Sequence, residues 1–258
     1  MTRFLPAACA AALLMAACGG GTNQNQNQQS SAPATSAAPA PPSVDAATAA
    51  TVTGKVTFAG TAPAPQPIKL AADPYCEKAN PGLATETAVV GRDGAIGNVF
   101  VYVKDGLGDR TFPAPSAPVV LDQKGCHYTP HVLGIQIGQP LQIINSDETL
   151  HNVHGRPTAN KEFNQGQPLQ GMKMTHTFST KEVMIPFKCD VHSWMNAWVG
   201  VLDHPYYAVT STDGTFSLKG LPPGTYTIEA WHEKLGTQTQ TVTIGEKETK
   251  DVAFTFKT

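Results

Sequence analysis

The sequence predicts an all-β sandwich. Only 15% of its 258 residues are charged, while Gly (23) and Pro (21) are abundant, a balance that suits sheets and turns. Short β-branched or aromatic runs recur along the chain, punctuated by turn residues. Few windows carry a helical period.

The first segment stands apart. The chain opens MTRFLPAACAAALLMAACGGG, in which Arg3 precedes a short apolar run (4–17) ending in small residues before Cys18. That layout is a secretory leader, too short to span a bilayer as a permanent helix. Residues 1–17 are therefore expected to be a signal peptide. The MAAC segment resembles the lipobox of bacterial lipoproteins, although Met15 stands where Leu is commoner. The resemblance implies cleavage before Cys18, lipidation of its thiol, and a membrane anchor at the periplasmic or cell-surface side. Residues 18–51, rich in Asn, Gln, Ala, Pro and Ser, bury too little surface to offset their ordering entropy and read as a disordered tether. Such a chain spans about 30 Å on average.

About 200 residues remain to fold, enough for one large or two small β domains. In order, examples of the expected strands are VTGKVTF (52–58), GNVFVYV (97–103), APVVLD (117–122), HVLGIQI (131–137), PLQIIN (140–145), EVMIPF (182–187), AWVGVL (197–202), GTFSL (214–218), TYTIEAW (225–231) and TVTI (241–244). Each is a β-branched or aromatic run bounded by turn residues. NKEFNQGQPLQG (160–171) is polar and broken by Gly, so it reads as a long loop. No repeat recurs at a fixed period.

Five cysteines are present. Cys9 leaves with the leader and Cys18 takes lipid. Cys76 (DPYCEKANPG) and Cys126 (QKGCHYTPHV) lie in turn-rich surroundings with no ligand spacing, and a disulfide between them is expected outside the cytoplasm. It closes a loop of about 50 residues, worth roughly 4 kcal/mol by loop-closure entropy. The alternative bridges Cys189 to one of the two. With the first pairing, Cys189 is an odd thiol, a liability in an oxidising compartment unless buried or bound.

Cys189 has company. FKCDVHSWM (187–195) sets Cys189, His192 and Met195 three residues apart. That spacing does not line one strand face, where side chains alternate with period two, but it suits a loop wrapped around a point. Upstream, IINSDETLHNVHG (143–155) runs from a strand through a polar turn to His151-Asn152-Val153. Here the chain resembles a cupredoxin, the plastocyanin-like blue copper fold. The resemblance implies a Greek-key sandwich over residues 117–207. It implies one copper held by His151, Cys189, His192 and Met195, with Asn152 tying the two ligand loops together. Plastocyanins place four residues between the loop His and Met, and here there are two. The shorter Cys-x-x-His-x-Trp-Met loop occurs in bacterial and archaeal plastocyanin-like proteins. The His-x-x-Met piece also resembles the binuclear copper centre of cytochrome oxidase subunit II, which needs a second cysteine where Ile185 stands, so one copper is expected.

The residue types support copper independently. Two imidazoles, a thiolate and a weak thioether suit both Cu(I) and Cu(II). A thioether is a poor zinc ligand, and hard cations want oxygen. In this reading Cys189 supplies the strong covalent bond, His151 and His192 fix the trigonal plane, and Met195 tunes the potential axially. His192 is the edge near solvent where electrons leave, and Phe187, Trp194 and Trp198 keep water out. His127, His131 and His154 read as structural or surface imidazoles, with a second copper site as the alternative. Met172, Met174 and His176 share one strand face and read as an ordinary half-buried strand, and His232 as a turn residue. A Cys–His hydrolase would need an orienting third group and an oxyanion site near Cys189, and neither is recognisable.

The tail resembles a second family. STDGTFSLKGLPPGTYTIEAWHEKLGTQTQTVTI (211–244) looks like the carboxypeptidase-regulatory-like module, a small prealbumin-type β sandwich. Asp213-Gly214 makes a tight hairpin turn and Pro222-Pro223-Gly224 a rigid turn into the next strand. Residues 208–258 are assigned to it, 52–116 to strands that precede or frame the copper region. Residues 53–67 offer the missing first half of the module, which would make the copper region an insert.

The expected function is an extracytoplasmic electron carrier, not an enzyme, cycling Cu(I)/Cu(II) with a redox protein such as a cytochrome. No small-molecule substrate is expected. A net charge of −2 without a basic stripe argues against nucleic acid. The rival is a copper carrier, buffer or sensor without a redox partner, favoured by the surplus of His and Met. A metal-free adhesive or scaffold module is a third class.

Overall fold

The computed structural model describes residues 44–61 and 63–257. The expected signal peptide, Cys18 and most of the tether lie outside the described residues. Within them the elements are β1 (Ala50–Ala59), α1 (Pro74–Ala79), a 3-10 turn (Arg92–Gly94), β2 (Phe100–Asp105), β3 (Val119–Gln123), β4 (Tyr128–Thr129), β5 (Val132–Gln136), β6 (Leu141–Asn145), β7 (His151–Gly155), β8 (Phe163–Gln167), β9 (Lys173–His176), β10 (Glu182–Lys188), β11 (Asn196–Leu202), β12 (Tyr207–Val209), β13 (Thr215–Leu221), β14 (Gly224–His232), β15 (Gly236–Ile244) and β16 (Thr249–Lys257). The chain is all-β, as the sequence predicts.

The strands form four sheets, ordered β13-β1-β16, β12-β2-β14-β15, β5-β11-β10-β7-β8 and β4-β3-β6-β9. The first two enclose a core that includes Val52, Val56, Val101, Val103, Phe216, Ile228 and Phe254. The other two enclose a second core with Leu121, Leu133, Ile143, Phe187, Val199 and the candidate residues Cys189 and Met195. A third, smaller cluster of Phe100, Tyr102, Val132, Met184 and Leu202 joins the two sandwiches. Strand periodicity explains how one strand serves two cores. Val101 and Val103 of β2 face the first core while Phe100 and Tyr102 face the joint.

Two glycines make the joint close. Gly134 of β5 and Gly200 of β11 lie opposite each other in a parallel pair. A Cβ at Gly200 would come within 2.6 Å of the Phe100 ring, and one at Gly134 would collide with the ring of Tyr207. The absence of side chains there lets the aromatic face of the neighbouring sheet sit directly on the backbone.

Several elements differ from expectation, three of them instructively. The polar stretch 160–171 contains β8, paired residue by residue with β7 from His151↔Gln167 to Gly155↔Phe163. It is an edge strand, so backbone pairing holds it without an apolar alternation. β16 is the second: Val252, Phe254 and Phe256 are buried in alternation with exposed neighbours, an unread period-two signal. α1 is too short to show a helical period. Its signal is Asp73-Pro74, a capping side chain followed by proline at the first helical position. Ala50 and Thr51, read as the end of the tether, already pair with Leu221 and Thr249.

Candidate metal centre

Two segments meet at one end of the second sandwich. The first is the turn between β6 and β7. Asn145 closes it by donating to the carbonyls of Thr149 (2.9 Å) and Gln167 (2.8 Å), while its Oδ1 accepts the Asp147 N–H at 3.0 Å. His151 then opens β7. The second is the loop from β10 to β11. The Cys189 N–H donates to the Met195 carbonyl at 3.1 Å, and the Met195 N–H to the His192 carbonyl at 2.9 Å. These bonds wind six residues around the Cys189 sulfur, which accepts the His192 N–H at 3.3 Å and the Asn152 N–H at 3.5 Å.

Three of the four residues singled out by the sequence bring their ligand atoms together, and Met195 is tied to the same loop through backbone bonds to Cys189 and His192. His151 and Met195 are fully buried, Cys189 is 1% exposed and His192 3%. One ligand atom each from His151, Cys189 and His192 lie within 4.8 Å of one another. The Nδ1 atoms of the two imidazoles face each other at 3.0 Å, and the Cys189 sulfur is 4.0 Å from His192 Nδ1. The opposite nitrogens are both held by carboxylates. His151 Nε2 donates to Asp147 at 2.9 Å and His192 Nε2 to Asp73 at 2.9 Å. A carboxylate on one ring nitrogen fixes the tautomer and leaves the other nitrogen as a donor to a metal. Two Nδ1 lone pairs at this separation repel unless a proton or a cation lies between them.

The electrostatics agree. Burial raises the Cys189 thiol, but hydrogen bonds from His151, His192 and the backbone N–H groups of Asn152 and His192 outweigh it and bring it down to about 6. Burial lowers both imidazoles. For His151 the Asp147 and Cys189 contacts win, and for His192 those of Cys189 and Asp73, so both stand above the ordinary imidazole value. Asp147 and Asp73 are held below the usual carboxylate range: their bonds to His151 and His192 and to backbone N–H groups exceed the cost of burial. Without a metal, the pocket therefore favours a thiolate beside protonated imidazoles.

Asn152 lies between the two loops. Its Oδ1 accepts the N–H groups of Asp190 (2.6 Å) and Val191 (3.3 Å) and the Cys189 thiol (3.2 Å), joining the two loops. The disulfide between Cys76 and Cys126 is present, with Cα atoms 5.5 Å apart, and Cys189 is the free thiol among the described residues. The bridge lies against the site: Cys76 Sγ is 3.7 Å from His192 Nε2. Two further groupings, Asp73/Cys76/His192 and Cys126/Asp147/His151, cluster tightly as well, but their sulfurs are bonded to each other and cannot ligate.

One expectation is corrected. His192 is not an edge near solvent. α1 and its capping residue Asp73 cover it, pinned by the disulfide. Sequence reading also missed Asp73, Asp147 and Tyr128. Asp147 precedes His151 by four residues in the turn, and Asp73 announces α1. The Tyr128 hydroxyl donates to the carbonyls of Asn152 (2.6 Å) and Lys188 (3.1 Å), clasping β7 to β10 beneath the site. No local pattern marks it.

The remaining histidines are engaged elsewhere. His131 donates to Glu233 at 2.6 Å and to the Asn196 carbonyl at 3.2 Å. His154 bridges Asp190 (2.9 Å) and Glu162 (2.6 Å). His127 contacts Thr129 Oγ1 at 3.1 Å. His176 stacks on Phe163 with centroids 4.0 Å apart, and Met172 and Met174 are half-buried on its face. His232 accepts the N–H groups of Lys234 and Leu235 in the β14–β15 turn. Phe187 packs in the second core beside Cys189, Trp194 lies against His192 with ring centroids 5.0 Å apart, and Trp198 lies at the joint against Trp231.

Comparisons with known proteins complete the description. No curated protein matches the chain. Among solved structures, similarity is found to a copper-containing nitrite reductase from Thermus scotoductus SA-01 (TM-score 0.32, 19% identity), covering 38% of this chain and 25% of that one. A copper(I) form of an amicyanin variant is matched at TM-score 0.30 and 20% identity, over 39% of this chain and 97% of that one. A purple cupredoxin from Nitrosopumilus maritimus is matched at TM-score 0.25 and 28% identity, over 29% of this chain and 81% of that one. The chain thus spans a quarter of the nitrite reductase. Residues 195–257, from the end of the β10–β11 loop through β16, match the carboxypeptidase regulatory-like domain.

Proposed function

We propose that this protein binds a single copper ion through His151 Nδ1, His192 Nδ1, Cys189 Sγ and the Met195 thioether, and serves as an outer-sphere electron carrier. The observation that carries the reading is the convergence of two carboxylate-backed imidazole nitrogens on one low-pKa thiol. Copper, when bound, supplies one-electron redox chemistry between Cu(I) and Cu(II). The donor set is soft enough for the first state and nitrogen-rich enough for the second. The chain's contribution is rigidity. Asn152, Tyr128 and the disulfide hold the loops, and Asp73 and Asp147 hold the rings, so the donors need not move between oxidation states.

The same enclosure favours electron transfer over copper delivery. A carrier that hands its ion to another protein needs an exposed ligand, and none of the four is exposed. The histidines that suggested a second site are engaged with carboxylates, carbonyls or aromatic rings. We further propose export, anchoring through lipidated Cys18, and a protein redox partner such as a cytochrome, with no enzymatic role. The C-terminal module then serves as a packing partner for the sandwich that carries the site.

The test is copper titration with an optical spectrum on wild type and Cys189→Ser. One equivalent of copper and an intense thiolate–copper band, lost in the variant, support the reading. Uptake without that band, or unchanged in the variant, sinks it.

A further inference from the structure

An electron carrier needs a route from site to surface, and neither imidazole provides a direct one. His192 ends on Asp73 and the Cys76 sulfur. His151 ends on Asp147, itself buried. Beside Cys189, Asn152 and Asp190 offer polar side chains without an aromatic ring.

One π-system crosses the cover. Trp194 lies in the ligand loop, with its ring centroid 5.0 Å from that of His192. It is half-buried and lines a surface cavity of about 140 Å³ beside Ile68, Glu86, His127 and His131. Its Nε1 donates to the Cys126 carbonyl at 3.0 Å, which locks the indole plane from the disulfide side. The other two tryptophans, Trp198 and Trp231, pack on each other at 5.1 Å within the joint between the sandwiches.

We propose that Trp194 is the electron port: the half-buried indole against His192, opening on the adjoining cavity, couples the site to the surface in place of a histidine edge. The inference rests on the electron-carrier reading. One electron leaves the partner's redox cofactor and one arrives at the site. No covalent bond forms or breaks, no proton moves, and the indole acts as a bridge without being oxidised.

The experiment compares copper-loaded wild type with Trp194→Leu, Trp194→Phe and the control Trp198→Phe. Electron self-exchange is read from NMR line broadening, alongside the optical band and reduction potential. Trp194→Leu should slow exchange about tenfold or more, equivalent to at least 1.4 kcal/mol of barrier, with band and potential unmoved. Trp194→Phe should recover much of the loss, and Trp198→Phe should match wild type. In metal-free protein, acrylamide should quench an emission component that Trp194→Phe removes. Unchanged exchange in Trp194→Leu overturns the port, as does an unquenchable Trp194 or a rate loss accompanied by a shifted potential. A wild type that forms no thiolate–copper band refutes the carrier reading itself, a distinguishable result.

Discussion

Asn152 Oδ1 accepts the backbone N–H of Asp190 at 2.6 Å, so one side chain joins the strand that begins with His151 to the loop that begins with Cys189. The same oxygen takes the Val191 N–H and the Cys189 thiol. Asn152→Ala leaves these donors without their partner. The expected cost is about 1–3 kcal/mol, read from a denaturant midpoint, together with weaker copper retention. Asn152→Asp keeps the acceptor and should hold the loop better than Ala.

Metal uptake should depend steeply on pH. Both imidazoles stand above their ordinary value, so without metal they retain protons to higher pH, whereas the thiol gives up its proton earlier, at about 6. A metal must displace these protons. Apparent affinity should fall as pH drops through the imidazole range, by about tenfold per pH unit for each proton displaced. Cobalt(II) titration across that range, followed optically, checks the slope; a flat profile contradicts it.

The buried pair of His131 and Glu233 reaches between the sandwiches at 2.6 Å, with side chains 3% and 6% exposed. Burial lowers His131, yet Glu233 overcomes it and raises the imidazole above its ordinary 6.5. Burial raises Glu233, yet His131 brings it below its ordinary 4.5. The His131 contribution is therefore complete below 6.5 and fades as pH rises through the raised value. The Glu233 contribution is complete above 4.5 and fades as pH falls through the lowered value. Between these limits Glu233→Gln should cost about 3–5 kcal/mol, and clearly less in alkaline solution. Denaturant titrations at both pH values test the difference.

The disulfide should matter twice. Replacing Cys76 and Cys126 by Ala removes a cross-link between residues 50 apart, costing about 2–5 kcal/mol. It also frees α1 from its anchor over His192. Diethylpyrocarbonate should then modify His192, which the wild type protects. Equal protection in both would show that Asp73 and its bonds suffice.

The candidate cluster was legible because residue type and short spacing mark it: Cys189, His192 and Met195 fall within seven consecutive residues, and His151 opens the strand after a readable turn. The cysteine pairing was legible by the same kind of reasoning. Asp73 and Tyr128 were not, because each reaches the site from a distant segment. Tyr128 OH meets carbonyls 24 and 60 residues away. The covering of His192 was hidden for the same reason. It depends on where α1 packs, and nothing within six residues of helix states that. β8 escaped because an edge strand need carry no apolar alternation, whereas β16 carried one in plain view.

β1 is the middle strand of its sheet, between β13 and the parallel β16. Thr53 donates to Asp251 from 198 residues away. During synthesis, then, the earliest strand described is made long before either of its neighbours. Val52, Val56 and Phe58 must wait, unpaired and sticky, until β16 has been made. Closure of this sheet is necessarily a late event governed by distant contacts, and a chain that stops short of β16 leaves its oldest strand with an open edge.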